Sequence, residues 1–130
     1  GTGVVLVVEE DAPLRRLVRS VLEESGYRVH EAASGRDALA YLEREQTPLD
    51  LILSDVAMPD ITGLELVALV GPSRHSPRVL FMSGYADSQF LAGGSDEPSI
   101  GVLHKPFTPA ELSARVAQIM SKEMVHTYHG

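Results

Sequence analysis

Carboxylates, a hydroxyl and a lysine ammonium stand directly after four short apolar runs in this chain of 130 residues. Val4–Val8 is followed by Glu9, Glu10 and Asp11; residues 49–54 by Asp55; residues 79–82 by Ser83; and residues 100–103, after His104, by Lys105. If those ends meet, Glu9, Glu10, Asp55 and Lys105 leave a charge of roughly −2 at one spot, where carboxylates either raise their pKa values or recruit a cation. Oxygen donors in a chain with no Cys favour a hard divalent ion, Mg²⁺ keeping several waters. Asp55 then has three available roles: metal ligand, general base or nucleophile. A hydroxyl and an ammonium beside it favour the nucleophile, because both hold the oxygens of a phosphoryl group arriving on a carboxylate.

Positioning these residues requires strands that end together. Val4–Val8 is continuous and β-branched, the pattern of a strand covered on both faces. From Asp11 to Glu24 the apolar positions Leu14, Leu17, Val18, Val21 and Leu22 follow helical spacing, with Pro13 in the first turn and Gly26 just past the end. Residues 27–32 read as a weaker strand, and residues 34–45 as a helix with Ser34 as N-cap and Asp37 three residues on. Residues 49–54 are predicted as the third strand, 64–70 as a short helix before Gly71, Pro72 and Pro77, and 79–82 as the fourth strand. Between residues 86 and 99, Gly93, Gly94 and Pro98 interrupt the helical signal, which predicts a short or irregular helix. Residues 100–103 are the fifth strand. Thr108-Pro109-Ala110-Glu111 forms a capping box that opens a helix burying Leu112, Val116, Ile119 and Met120.

Five strands alternating with helical segments predict an α/β fold with a parallel sheet and helices on both faces. Ligands of such sheets sit at the carboxyl ends of the strands, where strand order reverses. The length is that of one domain, expected over residues 1–124, with residues 125–130 a frayed tail. With 44% hydrophobic and 22% charged residues the composition is globular. A net charge of −7 argues against nucleic acid as a direct partner, and the lack of Cys excludes thiol catalysis. No apolar run reaches the roughly 20 residues of a membrane span; a cytoplasmic location is expected. The chain does not begin with Met, which reads as a segment with neighbouring domains removed. Asp11 and Thr108 read as helix caps. His30, His75, His104, His126 and His129 show no ligand spacing and are assigned surface or capping roles, and Arg15-Arg16 is assigned to a helix surface, with a partner contact as the alternative.

The ordered set Glu9-Glu10-Asp11 with Leu14-Arg15-Arg16, Asp55-Val56-Ala57-Met58-Pro59 with Gly63, Met82-Ser83-Gly84-Tyr85 and His104-Lys105-Pro106-Phe107 resembles the response-regulator receiver domain of two-component signalling. The resemblance runs from about residue 4 to residue 120. It implies a flavodoxin-like, doubly wound five-stranded sheet of order 2-1-3-4-5. It further implies that Asp55 accepts a phosphoryl group from a sensor histidine kinase or histidine phosphotransfer domain. Glu10, Asp55 and the main-chain carbonyl of Ala57 would bind Mg²⁺, Glu9 would act through a water, Ser83 and Lys105 would hold phosphoryl oxygens, and the bond before Pro106 would be cis. Such a domain is not an enzyme in the ordinary sense: it catalyses its own phosphorylation and dephosphorylation. The stretches 82–85 and 105–108 are most similar to receivers attached to hybrid sensor kinases, whose parent chain would be a histidine kinase. A phosphorylation-dependent homodimer is left open.

Two positions depart from the family pattern. Glu10 is one methylene longer than the Asp common there, which predicts weaker or rearranged Mg²⁺ binding. Val102 stands where an aromatic side chain often reports phosphorylation, so the 86–99 segment is expected to carry the change instead. Two rival readings are kept. One is a phosphorylation-independent pseudo-receiver that only binds partners, for which Glu10 is the sole feature. The other is an aspartyl-nucleophile phosphohydrolase, which usually needs a second acid two residues after the nucleophile, where Ala57 stands.

Overall fold

The apolar run of β1 (Val4–Val8) feeds two cores at once, because successive side chains of a strand point to opposite faces. Val5 and Val7 pack with Val18 and Leu22 of α1 (Ala12–Glu24) and with Leu112, Val116 and Ile119 of α4 (Pro109–Ser121). Leu6 and Val8 pack with Ala38, Tyr41 and Leu42 of α2 (Gly35–Arg44) and with Leu66 of α3 (Gly63–Val70). Helices therefore cover both faces of the sheet, and a continuous apolar strand is what that arrangement requires. The computed structural model describes residues 2–45, 48–70, 77–84 and 100–121, with Val70 and Ile100 described by backbone alone.

β1, β2 (Arg28–Ala32), β3 (Leu51–Asp55), β4 (Arg78–Ser83) and β5 (Ile100–His104) form one parallel sheet of order β2-β1-β3-β4-β5. This is the doubly wound, flavodoxin-like order, and it reverses between β1 and β3, at the acids after β1 and at Asp55. β3 and β4 run on through Asp55 and Ser83, so these side chains are the last rungs of their strands rather than loop residues. Among the described residues no helix is long and apolar enough to cross a membrane.

The caps act as their residue types dictate. Asp11 Oδ1 accepts from Leu14 N at 3.3 Å, and Ser34 Oγ accepts from Asp37 N at 3.0 Å. Thr108 and Glu111 close a reciprocal box, with Thr108 N on Glu111 Oε1 at 2.7 Å and Glu111 N on Thr108 Oγ1 at 3.0 Å. Two apolar positions differ from expectation. Leu17 is 45% exposed, since it lies about 100° around α1 from Val18 and outside the stripe that meets the sheet. Met120 is half-buried against the core rather than within it. The expected irregular helix at 86–99, the tail and its boundary at 124, and His75, His126 and His129 lie outside the described residues.

Candidate functional site

Parallel register brings the ends of β1, β3, β4 and β5 to one edge: Val8 pairs with Ser54, Asp55 with Met82, and Ser83 with His104. The ladder continues one step at each side, through Glu9 N on Ala32 O at 3.0 Å and Lys105 N on Ser83 O at 2.9 Å. Lys105 Nζ then lies 2.6 Å from Asp55 Oδ1 and 3.0 Å from Glu9 Oε1, although 50 and 96 residues separate it from these acids. The second oxygen of Glu9 accepts from Asp11 N at 2.9 Å. Glu9 and Asp55 are 3% and 6% exposed. Ser83 is buried beside them in the register and donates its hydroxyl to Gly84 O at 3.2 Å. The peptide bond between Lys105 and Pro106 is cis.

Burial and packing hold the loop after β3. Val56 N donates to Met82 O at 3.1 Å and Gly63 N to Val56 O at 2.6 Å, which closes the loop that holds the half-buried Ala57 and Met58. A Cβ at Gly63 would collide with the carbonyl oxygen of Asp55 and lie 2.9 Å from Phe81 Cε1, so only glycine allows so close an approach. Glu10 is the exception among the candidate residues: it is exposed and its side chain makes no hydrogen bond or ion pair with Glu9, Asp55 or Lys105.

Two buried carboxylates face one ammonium. Burial first, and the Glu9 carboxylate second, push Asp55 up to about 7 against the pull of Lys105. Burial works to lower the pKa of Lys105, but Asp55 and then Glu9 outweigh it and hold the ammonium above its ordinary value. A pair alone would lower the acid while raising the base. With two acids to one base the lysine keeps its charge, and Asp55 is left the harder to ionise. Among the described residues no group of three or more His, Asp or Glu is gathered as a metal site. The site fits Mg²⁺ by another route: an excess of buried negative charge, oxygen donors only, and an ion that commonly takes one or two carboxylates and keeps its waters.

Two residues at this edge have roles that spacing alone does not signal. Arg15, expected on a helix surface, is half-buried and donates from Nη1 to Glu9 O at 2.6 Å and from Nε to Glu31 Oε1 at 2.9 Å. Glu31, a charge on a half-buried strand facing α1, was the available signal. Asp60 accepts from Arg36 N at 2.7 Å and Gly35 N at 3.2 Å, so the loop after Asp55 caps α2. Burial would raise the Asp60 carboxyl, but these N–H donors and that of Ile61 hold it below its usual range. No local pattern links Asp60 to a helix start 25 residues earlier. His30 is also half-buried, its ring 5.0 Å from that of Tyr41, whereas His104 is exposed as expected.

Comparisons with known proteins agree with this geometry. Residues 5–117 match the family model of the response regulator receiver domain. The chain is 33% identical over 123 residues to the sensor kinase CckA of Brucella abortus (strain 2308), covering 95% of this chain and 13% of that one. It superimposes on the chemotaxis response regulator CheY4 of Vibrio cholerae with a TM-score of 0.75 at 30% identity, over 92% of this chain and 99% of the other. For the receiver domain of the hybrid histidine kinase CckA the TM-score is 0.76 at 29% identity, over 92% and 100%. The chain spans between 13% and 50% of the length of the first curated relatives it matches.

Proposed function

The chain belongs to the response regulator receiver domain family of two-component signalling, and on that premise we propose that it is a phosphoacceptor in which Asp55 takes a phosphoryl group from a phosphohistidine donor. The observation that supports this reading is the Lys105 ammonium 2.6 Å from Asp55 Oδ1 at the sheet edge, beside buried Ser83. The donor is a sensor histidine kinase or a histidine phosphotransfer domain. The likeness to a short piece of a sensor kinase supports a receiver carried within a hybrid kinase chain.

In the transfer, an oxygen of Asp55 forms the new O–P bond while the N–P bond of the donor breaks. The electron pair of that bond returns to the imidazole nitrogen, which takes a proton from water. Asp55 must be ionised to attack, and Lys105 favours that form. Once the group has arrived, the Lys105 ammonium and the Ser83 hydroxyl are the donors within the site for its oxygens, and positioned charge of this kind is most of what phosphoryl transfer needs. Glu9 keeps Lys105 charged and directed into the edge. Asp55, Glu10 and the Ala57 carbonyl would hold Mg²⁺, which when bound supplies the positive charge that offsets the incoming oxygens. Phosphorylation then changes the affinity of one face of the domain for a partner.

The test is intact-mass analysis after incubation with acetyl phosphate and MgCl₂. One phosphoryl mass is expected on the wild type and none on Asp55→Asn. Folded protein that gains no mass is the pseudo-receiver outcome, and sustained turnover of a phosphate ester is the hydrolase outcome; either displaces the reading. A Mg²⁺ titration examines Glu10. Glu10→Asp is expected to bind the ion more tightly, and equal affinity means that the extra methylene is harmless.

A further inference from the structure

Glu9 and Glu10 are neighbours in the chain with opposite fates, one 3% exposed and bound to Lys105, the other exposed. Something must fix the main chain between them. The N–H of Glu9 is held by β2 through Ala32 O at 3.0 Å, and its carboxylate by Lys105 and Asp11 N. Its carbonyl is held by Arg15, whose Nη1 lies 2.6 Å from Glu9 O and 3.5 Å from Glu10 O. The same guanidinium is anchored from behind, Nε donating to Glu31 Oε1 at 2.9 Å. Glu31 is paired in register with Val7 of β1, and its other oxygen takes Arg19 Nη1 at 2.7 Å. Arg19 in turn reaches Glu23 Oε2 at 3.0 Å. A line of charge-assisted bonds thus runs from α1 through Glu31 of β2 to the peptide joining the two acids.

We propose that Arg15 is a positioning residue for the acidic edge: by clamping the main chain at Glu9 and Glu10 to Glu31 it orients the carboxylates that receive the cation. The proposal deepens the phosphoacceptor reading and rests on it. A planar fork suits the task, because one side chain must donate in two directions, to a carboxylate and to a carbonyl, with a fixed angle between them. A lysine ammonium carries the charge without that geometry. Groups that orient metal ligands from behind typically change metal affinity by about 10–100-fold when removed.

The experiment titrates MgCl₂ by calorimetry into wild type, Arg15→Ala, Arg15→Lys, Glu31→Gln and the double variant Arg15→Ala/Glu31→Gln. Each is also given acetyl phosphate at saturating Mg²⁺, and its thermal midpoint is measured in EDTA. Arg15→Ala is expected to weaken Mg²⁺ binding by about tenfold or more, with the phosphorylation rate at saturating Mg²⁺ within about twofold of wild type. Arg15→Lys should weaken binding nearly as much. Glu31→Gln should weaken it less, and the double variant should be no worse than Arg15→Ala, because the two residues act in series. Wild-type Mg²⁺ affinity in Arg15→Ala alongside a lower thermal midpoint overturns the proposal and leaves the phosphoacceptor reading standing. Should Arg15→Ala not fold, Arg15→Lys decides, and wild-type affinity there overturns it too. A wild type that neither binds Mg²⁺ nor gains a phosphoryl group removes the reading and this inference together.

Discussion

Two clusters of opposed charge meet at the end of β1, and they are built on different arithmetic. At the sheet edge, Glu9 and Asp55 share the single ammonium of Lys105, all of it buried or half-buried. Along α1 and β2, Glu23 and Glu31 face the two guanidinium groups of Arg15 and Arg19, and these two carboxylates have more access to water than Glu9 and Asp55. The consequences are opposite for the same kind of side chain. Asp55 is pushed up to about 7 by burial and by Glu9. Glu31 is held below its ordinary range, chiefly by Arg19 and then, against some burial, by Arg15; Arg19 is raised, chiefly by Glu31. A balanced cluster holds elements together, whereas an unbalanced buried one leaves a demand for positive charge that a cation or a proton must meet.

The largest break in this comparison is Lys105→Ala. Lys105 is the one cation on both acids among the described residues; removing it leaves two buried carboxylates uncompensated, so urea unfolding at pH 8 should show a loss of about 3–5 kcal/mol, and part of it should be recovered at pH 5 as Asp55 takes up a proton. Equal losses at both pH values mean that packing, not charge, was removed.

The next largest is Asp55→Asn, with the opposite sign. The folded-state pKa of Asp55 lies above its unfolded value, so its contribution to stability is full below the ordinary carboxylate range and is lost as pH rises towards 7. The wild type should lose stability between about pH 4 and pH 7 from this group, and the Asn variant should lack that slope. At pH 8 the variant should be more stable by roughly 2–4 kcal/mol. A variant less stable than wild type at pH 8 would mean that the bond to Lys105 outweighs burial.

Glu31→Gln tests the balanced side, and about 1 kcal/mol should go with its two ion pairs. Here the folded-state pKa is lowered, so the stability is present above the ordinary carboxylate range and is lost as pH falls through it. Wild type and variant should therefore converge as pH falls below the ordinary carboxylate range. The smallest change is Arg19→Gln, about 0.5 kcal/mol in dilute buffer and less at 1 M salt, because its pair with Glu23 is open to water and its pair with Glu31 only half-buried. If Arg19→Gln costs as much as Lys105→Ala, the contrast between the clusters fails.

The strands and their chemical ends were readable in the chain because each signal is local. Val4–Val8 is apolar at every position since both its faces are covered, and parallel strands have no choice but to bring Asp55, Ser83 and Lys105 to one edge. Asp11, Ser34 and Thr108 cap the helix starts next to them, within three residues. Composition and spacing thus determined the layers, the order of elements along the chain and the strand-end groups Asp55, Ser83 and Lys105.

What only the tertiary structure decided is which of these groups touch. That Glu9 rather than Glu10 reaches Lys105 depends on the rotation of one peptide, held by Arg15 and by Glu31 from another strand. That Asp60 caps α2 depends on how the loop after β3 lies across it. Burial of Asp55 likewise comes from neighbours distant in the chain, and with it the rise in its pKa. Periodicity reports which face a residue occupies, but contact directions and desolvation are properties of the assembled surroundings.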